Sequence, residues 1–272
     1  MQPANMFPLA TNCGSSSVQG PLWDQRAHDW NAVQEPLSRA LYDILLKALA
    51  LTRDTTLLDA GCGSGMFCEL AAQKGAGVMG LDASYELLDL ARKRAPHAAF
   101  FNGEMEELPF VDLTFDVVTM ISSLQHATDP QRTLKEVRRV LRPGGRVAIA
   151  AWAGPEQCNI AKFFHALDEL IPGDSFNTVA AFDYDQGELN QLVLHAGFTK
   201  LLEAQGFSSW HYPDEATALR GLLSFGTAVQ AIQCAGEERV QEVTRQFLAP
   251  FRLPRGSYRF DNTFRYLIAM RH

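Results

Sequence analysis

The strongest constraint in this sequence is a glycine-rich turn, Gly61-Cys62-Gly63-Ser64-Gly65. The apolar run 55–59 predicts a strand before the turn, and the pattern over 66–74 predicts a helix after it. Glycine permits positive φ angles and lets the backbone approach a ligand closely. The start of a helix also offers unpaired N–H groups to a carboxylate. The turn therefore predicts a ligand site where the first strand ends.

An acidic residue at the end of the second strand narrows the ligand class. The run 77–81 predicts a strand that ends at Asp82, 17 residues after Gly65. A carboxylate there can accept hydrogen bonds from both hydroxyls of a ribose. Dinucleotide-binding turns have the spacing G-x-G-x-x-G, whereas this turn reads G-x-G-x-G, which favours an adenosyl ligand without a pyrophosphate. The alternative is a purely structural turn in some other α/β protein.

Strand and helix patterns alternate along most of the chain. This order predicts an α/β fold, a doubly wound and mostly parallel seven-stranded sheet with helices on both faces. The predicted strands cover 55–59, 77–81, 97–101, 115–121, 146–151, 199–207 and 264–270. A helical stretch at 213–250, with a break near Gly236, lies between the last two strands and predicts a helical cap insertion.

The same patterns divide the chain into a leader and one domain. Residues 1–20 are rich in small and polar residues and predict a flexible leader, and 21–272 form a single domain. Its parts are N-terminal covering helices at 21–51, a ligand-binding core at 52–151, and cap segments at about 152–187 and 208–257.

Composition limits the partners. The formal net charge of −7 does not suit a nucleic-acid partner. No apolar run approaches the roughly 18 to 20 residues that cross a bilayer, so no membrane partner is expected. The five cysteines are scattered and odd in number, which predicts free thiols in the cytoplasm and no metal site. We expect a monomer or homodimer with a small-molecule substrate.

Further motifs give a family resemblance. With the glycine turn they form an ordered set: Gly80-Leu81-Asp82-Ala83-Ser84, Gly103-Glu104-Met105-Glu106-Glu107-Leu108-Pro109-Phe110, Phe115-Asp116-Val117-Val118, Gln125-His126-Ala127-Thr128-Asp129-Pro130 and Arg139-Val140-Leu141-Arg142-Pro143-Gly144-Gly145. In this set the chain resembles the class I S-adenosylmethionine (SAM) dependent methyltransferases, in particular the quinone-methyltransferase-like group that acts on small molecules. The match is good over residues 20–151 and loose over 188–207. It implies SAM as the cofactor.

The resemblance also implies roles for residues of the first two strands. Asp59 and the backbone of Gly61, Cys62 and Gly63 would hold the methionine end of the cofactor. Asp82 would bind the ribose hydroxyls.

Four further residues would surround the adenosyl group. Ala83 would pack against the adenine ring, and Ile121 would lie under the adenosyl group. Glu104 would accept from the adenine amino group, and the Met105 amide would donate to the ring. The family usually has Asp at position 104, so the longer Glu104 side chain would need a shifted loop to make the same contact.

Three residues are candidates for contact with the reacting groups. Trp23 and Trp30 match aromatic positions in a covering helix, where indoles could lie over the sulfonium or could simply pack the helix onto the sheet. His126 follows the fourth strand and is the best candidate general base, since an ordinary imidazole titrates near neutral pH. The alternative for His126 is a structural role in its loop.

The expected substrate pocket is apolar. It would be built from Trp152, the helix around 160–170 and the insertion at 213–250, with apolar surface from Phe163, Phe164, Leu222, Leu223 and Phe225. Such a pocket predicts methyl transfer to a small, largely apolar or aromatic metabolite by in-line displacement. The alternatives are a non-catalytic SAM-binding scaffold or sensor, or a nucleic-acid or protein methyltransferase. The latter fits less well, because 121–124 read Ile-Ser-Ser-Leu and not Asn/Asp-Pro-Pro-Tyr.

Overall fold

A computed structural model describes residues 14–172 and 187–272. One seven-stranded sheet with the order β3-β2-β1-β4-β5-β7-β6 organises these residues. Its strands are β1 (Thr56–Ala60), β2 (Gly77–Asp82), β3 (Ala99–Asn102), β4 (Phe115–Ile121), β5 (Leu141–Trp152), β6 (Phe198–Tyr212) and β7 (Tyr258–Arg271). β7 runs antiparallel to both of its neighbours, β5 and β6, and the other pairings are parallel.

Helices connect and cover the strands. They are α1 (Ser16–Asp24), α2 (Ala27–Asp29), α3 (Arg39–Leu49), α4 (Met66–Gln73), α5 (Tyr85–Arg94), α6 (Pro130–Val140), α7 (Asn159–Asp168), α8 (Glu188–His195), α9 (Glu215–Leu222), α10 (Gly226–Ala235) and α11 (Glu237–Leu248). A π-helical turn (Trp30–Gln34) and a 3₁₀ turn (Glu35–Ser38) join α2 to α3. The predicted fold class, a doubly wound and mostly parallel sheet with a helical insertion, is confirmed.

Both faces of the sheet are buried, as a parallel sheet requires. Leu58 of β1 packs into a cluster with α6 and α8, and Leu57 packs on the opposite face against α3, α4 and α5. Helices α7 and α9 to α11 form a third apolar cluster, together with the distal parts of β6 and β7. The insertion therefore has a core of its own.

The last two strands are longer than the sequence predicted. They pair without a gap in the sheet from Phe198 opposite Arg271 to Tyr212 opposite Tyr258, with one bulge. Polar residues such as Ser208 and Asn262, both buried, interrupt the apolar pattern that marks a strand. The ladder forms nevertheless, because backbone hydrogen bonds do not depend on the side chain and Tyr212 is buried in the third cluster.

The predicted leader at 1–20 extends too far. Helix α1 begins at Ser16, and Gln19 and Leu22 are buried. Gly20 lies so close to the sheet that a β-carbon there would be 2.6 Å from the carbonyl oxygen of Ala83. The close contact explains why small and polar residues form an ordered helix here. Residues 1–13 lie outside the described part, as do 173–186 of the first predicted cap segment.

In the described part of the chain, no helix is long and apolar enough to cross a membrane.

Candidate active site

A cavity of about 530 Å³ opens where β1, β2 and β4 end. This edge contains the point between β1 and β4 where the strand order reverses, the usual ligand site of an open α/β sheet. All twelve residues singled out in the sequence line the cavity: Trp23, Trp30, Asp59, Gly61, Cys62, Gly63, Asp82, Ala83, Glu104, Met105, Ile121 and His126. The fold thus brings the predicted residues together in one place.

Three of the five residues of the turn are glycines that the structure requires. Gly61, Gly63 and Gly65 have φ angles of +83°, +53° and +80°, a region that other residues rarely adopt. A β-carbon on Gly61 would lie 2.3 Å from the Cβ of Ser123, and one on Gly65 would lie 2.8 Å from that of Ala91. Both the backbone angles and the neighbours therefore require glycine.

The Asp82 carboxylate connects the glycine turn to the residues just before α5. Its carboxylate accepts from the backbone N–H groups of Gly63 at 2.8 Å and Ser84 at 2.9 Å. Burial raises the pKa of Asp82 to about 6. Each carboxylate oxygen keeps a further lone pair, so the group can still accept hydrogen bonds from a ribose.

Asp59 is a buried carboxylate at the end of β1. Its Oδ1 accepts from the Thr119 hydroxyl at 2.7 Å, and its Oδ2 faces the thiol of Cys68 at 3.6 Å. Burial raises the pKa of Asp59 to about 7, with nearby Asp82 and Glu35 acting in the same direction. A buried carboxylate with so few donors is suited to a positively charged ligand.

The N–H groups that the sequence assigned to a ligand carboxylate are largely engaged within the protein. The Gly61 and Cys62 amides donate to the carbonyl of Leu81, and the Gly63 amide donates to Asp82. At the start of α4, the carboxylate of Glu35 accepts from the Ser64 hydroxyl and from the backbone of Met66. In this structure a side chain from a distant segment therefore occupies the helix terminus that the sequence assigned to a ligand carboxylate.

Glu104 makes two contacts within the protein that the resemblance does not imply. One oxygen accepts from the Ser16 amide at 2.7 Å, and the other accepts from the Glu106 amide at 3.0 Å. The extra methylene, compared with Asp, provides the reach to the start of α1. Contact with an adenine amino group would have to use the remaining lone pairs.

Aromatic rings form a further part of the cavity lining, and the indole nitrogen of Trp30 lies 3.4 Å from where a β-carbon on Gly63 would be. The ring centroids of Trp23 and Trp30 lie 4.9 Å apart in an edge-to-face arrangement, and Phe225 lies 5.3 Å from Trp30 and 5.0 Å from Phe164. Trp210 also lines the cavity and packs 6.3 Å from Phe225. Sequence reasoning missed Trp210, because it lies in the unpredicted extension of β6.

The expected apolar pocket residues divide into lining and core. Phe164, Phe225 and Trp152 line the cavity. The others are fully buried within the cap cluster, namely Phe163, Leu222 and Leu223.

His126 lies half-buried in the cavity wall, with its ring centroid 5.7 Å from that of Trp23. Burial lowers the pKa of His126 to about 4. The imidazole is therefore neutral at physiological pH, and the expectation that it titrates near neutrality is wrong. In the described residues its ring makes no hydrogen bond with the protein, so both ring nitrogens can meet a ligand.

The cavity is acidic and contains no fixed cation. No lysine or arginine is among the described residues that line it, and the segments 1–13 and 173–186 contain neither residue type. Among the described residues, five carboxylates line it: Glu35, Asp59, Asp82, Glu104 and Glu156. Over the described ranges, no group of three or more His, Cys, Asp or Glu is placed to hold a metal ion.

The fold and this site are those of an α/β protein that binds an adenosyl cofactor, and comparison with known proteins identifies its family. Residues 58–149 match the methyltransferase domain family. The demethylmenaquinone methyltransferase of Chlorobaculum tepidum is 32% identical over 171 residues, 61% of this chain and 71% of that protein. The 2-phytyl-1,4-naphtoquinone methyltransferase of Trichormus variabilis is 30% identical over 216 residues, 75% of this chain and 93% of that protein.

The chain belongs to the class I SAM-dependent methyltransferases, and its methyl donor is SAM. The fold alone does not establish this activity, because a protein named as a [4+2]-cyclase, SpnF, has a similar solved structure. The TM-score between the two is 0.58. That structure is 18% identical, and the match covers 97% of this chain and 98% of SpnF. The residues present fit SAM, because a glycine-rich turn, the Asp82 carboxylate with lone pairs left to accept hydrogen bonds, and buried acids surround one cavity.

Proposed function

We propose that this methyltransferase acts on a small, uncharged, largely aromatic molecule. The observation that carries the proposal is the pairing of an aromatic wall with a lining free of lysine and arginine. Rings offer a large apolar contact area to a planar acceptor. A carboxylate or phosphate on the acceptor would meet like charge without a compensating cation. The relatives named for naphthoquinone substrates support an aromatic acceptor.

Alignment is the main catalytic contribution of the protein. When bound, SAM supplies a methyl group activated by a sulfonium. The glycine turn and Asp82 fix the cofactor end, and the rings of Trp23, Trp30 and Phe225 exclude water and hold the acceptor in line with the methyl carbon. Trp23 and Trp30 add cation–π attraction where they face the positive charge.

His126 is the proposed proton acceptor when the nucleophile is a hydroxyl. Its neutral imidazole can accept a hydrogen bond from the acceptor and take the proton as the methyl group transfers. An imidazole with a pKa of about 4 is a weak base, so it suits an acidic hydroxyl such as a phenol better than an alcohol.

We further propose that residues 152–187 and 208–257 form a substrate cap, while 52–151 bind the cofactor. Phe164 of α7 and Phe225, just before α10, support this division, because both come from the cap and line the cavity. The described residues that line the cavity all come from one chain, which supports an active monomer or homodimer. The proposed compartment is the cytoplasm, and nucleic acid is not a proposed partner because the chain has a net charge of −7.

A substrate screen tests the proposal. Purified protein is incubated with methyl-labelled SAM and a panel of phenols, naphthols and hydroquinones, each paired with its carboxylated analogue. We expect label transfer to uncharged members and little to the carboxylated partners. Asp82→Ala is the inactive control, and Phe225→Ala should reduce turnover while leaving SAM affinity unchanged. Equal labelling of both partners would contradict the uncharged class, and tight SAM binding without any transfer would favour a non-catalytic sensor.

A further inference from the structure

Glu35 connects the N-terminal segment to the cofactor loop. It lies in the 3₁₀ turn before α3, only 1% exposed, and it lines the cavity. Its Oε2 accepts from the Ser64 hydroxyl and forms an ion pair with Arg94, and Arg94 also donates to the Asn31 side chain at 2.8 Å. Its Oε1 lies 3.4 Å from the point where a side chain on Gly63 would begin. The carboxylate is thus fixed beside the glycine turn.

This placement changes where the amino-acid end of the cofactor can bind. A helix N-terminus attracts one carboxylate, and at α4 that position is taken by Glu35. A second carboxylate there would meet like charge at short range. Because the cavity has no lysine or arginine, the carboxylate of the methionine moiety must be bound by neutral donors.

Tyr42 of α3 supplies such a donor. It is 8% exposed and lines the cavity, and its hydroxyl makes no hydrogen bond within the described residues. Its ring is held edge-to-face against Phe67, with centroids 5.6 Å apart. Glu35, Asp59 and Tyr42 all line the cavity, and burial, together with the charges of Glu35 and Asp59, raises the pKa of Tyr42, so its hydroxyl stays protonated. A hydroxyl that lines the cavity without a protein partner is free to donate a hydrogen bond to a ligand.

We propose that Glu35 and Tyr42 bind the amino-acid end of the cofactor. Glu35 accepts a hydrogen bond from the ammonium group beside Gly63, and the Tyr42 hydroxyl donates to the carboxylate. Arg94 is a positioning residue, since it holds Glu35 without lining the cavity. This inference depends on SAM as the cofactor and is independent of the acceptor proposed above.

Calorimetry with two ligands tests this assignment. S-adenosylhomocysteine carries the amino-acid end, whereas 5′-methylthioadenosine has the same nucleoside and thioether without it. We expect Glu35→Gln to weaken binding of S-adenosylhomocysteine by about 10- to 100-fold, the range for hydrogen bonds to charged groups, and to leave methylthioadenosine binding unchanged. Tyr42→Phe should weaken only S-adenosylhomocysteine, by about 5- to 10-fold. Glu86→Gln, the same change at an exposed position of α5, is the matched control.

The outcomes separate binding from structure. Equal weakening of both ligands by Glu35→Gln would show that Glu35 only shapes the loop, and unchanged affinity for both would also overturn the proposal. If Glu35→Gln leaves Arg94 uncompensated and does not fold, the double variant Glu35→Gln with Arg94→Met removes both charges and gives the same comparison. Tyr42→Phe deletes a single unpartnered hydroxyl, so its folding is not at risk and its selective effect alone can refute the Tyr42 contact.

Discussion

Glu104 accepts a hydrogen bond of 2.7 Å from the backbone amide of Ser16, which lies 88 residues earlier in the chain. The bond attaches the start of α1 to the loop that follows β3. At its other end, α1 is attached by Asp24, whose carboxylate accepts from the Ser84 hydroxyl at 2.6 Å and from the Glu86 amide at 3.0 Å. Helix α1 is therefore fastened over the cofactor end of the cavity by two carboxylates.

Shortening Glu104 should release α1. Glu104→Asp keeps the charge but loses the reach to Ser16, so amide hydrogen exchange should accelerate across residues 16–24. SAM affinity should fall about tenfold, which corresponds to about 1.4 kcal/mol. Glu107→Asp is the matched control, since Glu107 lies in the same loop and forms an exposed ion pair with Arg132. Unchanged exchange in the Glu104 variant would show that other contacts hold the helix.

Cofactor affinity should depend on pH through Asp59. Its pKa is about 7 in the free protein, and a cationic ligand favours the ionised form. The dissociation constant for SAM should therefore rise as pH falls below 7, by up to about tenfold per pH unit. Asp82, with a pKa of about 6, should add a second contribution below pH 6. Calorimetry from pH 5 to 7.5 checks this, and Asp59→Asn should flatten the part of the curve near pH 7.

The same carboxylate should destabilise the free protein. The pKa of Asp59 in the folded state, about 7, lies above the ordinary aspartate value of 3.8, so the folded protein retains a proton that the unfolded chain has lost. The free energy of unfolding should therefore fall as pH rises from about 4 to about 7. Asp59→Asn removes this cost and should raise the Tm at pH 8 by about 2 to 4 °C, roughly 1 kcal/mol for a chain of this size. A lower Tm would mean that the contacts with Thr119 and Cys68 dominate.

His126 should affect turnover without affecting cofactor binding. His126→Ala should lower turnover by roughly 10²- to 10⁴-fold, the usual contribution of a general base. Because the pKa of His126 is about 4, the rate should show no inflection near pH 6.5 from this residue and should fall only as pH approaches 4. His165→Ala removes another histidine of the cavity lining and serves as the control. A thermal destabilisation with near-normal turnover would identify His126 as structural.

The sequence predicted the fold and the residues that line the cavity near the glycine turn, because both depend on local patterns. Gly61 must be glycine for reasons that its own backbone angle shows, and Asp82 follows directly from the end of a strand. Ser84 caps α5 as its position predicts, with its hydroxyl accepting from the Leu87 amide. Such features need no knowledge of distant residues.

The rest of the site depends on contacts between distant segments. Glu35 and Glu104 are carboxylates in unremarkable positions until the fold brings them to Ser64 and Ser16. Trp210 lies in a strand whose buried polar neighbours conceal the alternation of apolar residues. The pKa of His126 depends on burial that no spacing rule gives. The sequence patterns therefore could not predict these tertiary contacts or the burial of these side chains.

The uninterrupted β6–β7 ladder has a consequence for protein engineering and for the divergence of this family. Backbone pairing sets the distance between Tyr212 and Tyr258, where the ribbon leaves the sheet, largely independently of the side chains beyond it. The ends of the helical segment between these two residues are thus held at a set distance, so the segment can be exchanged for another one that spans the same distance. A chimera that carries the corresponding segment of another methyltransferase on this ribbon should retain the cofactor chemistry of its host and acquire the acceptor preference of the donor.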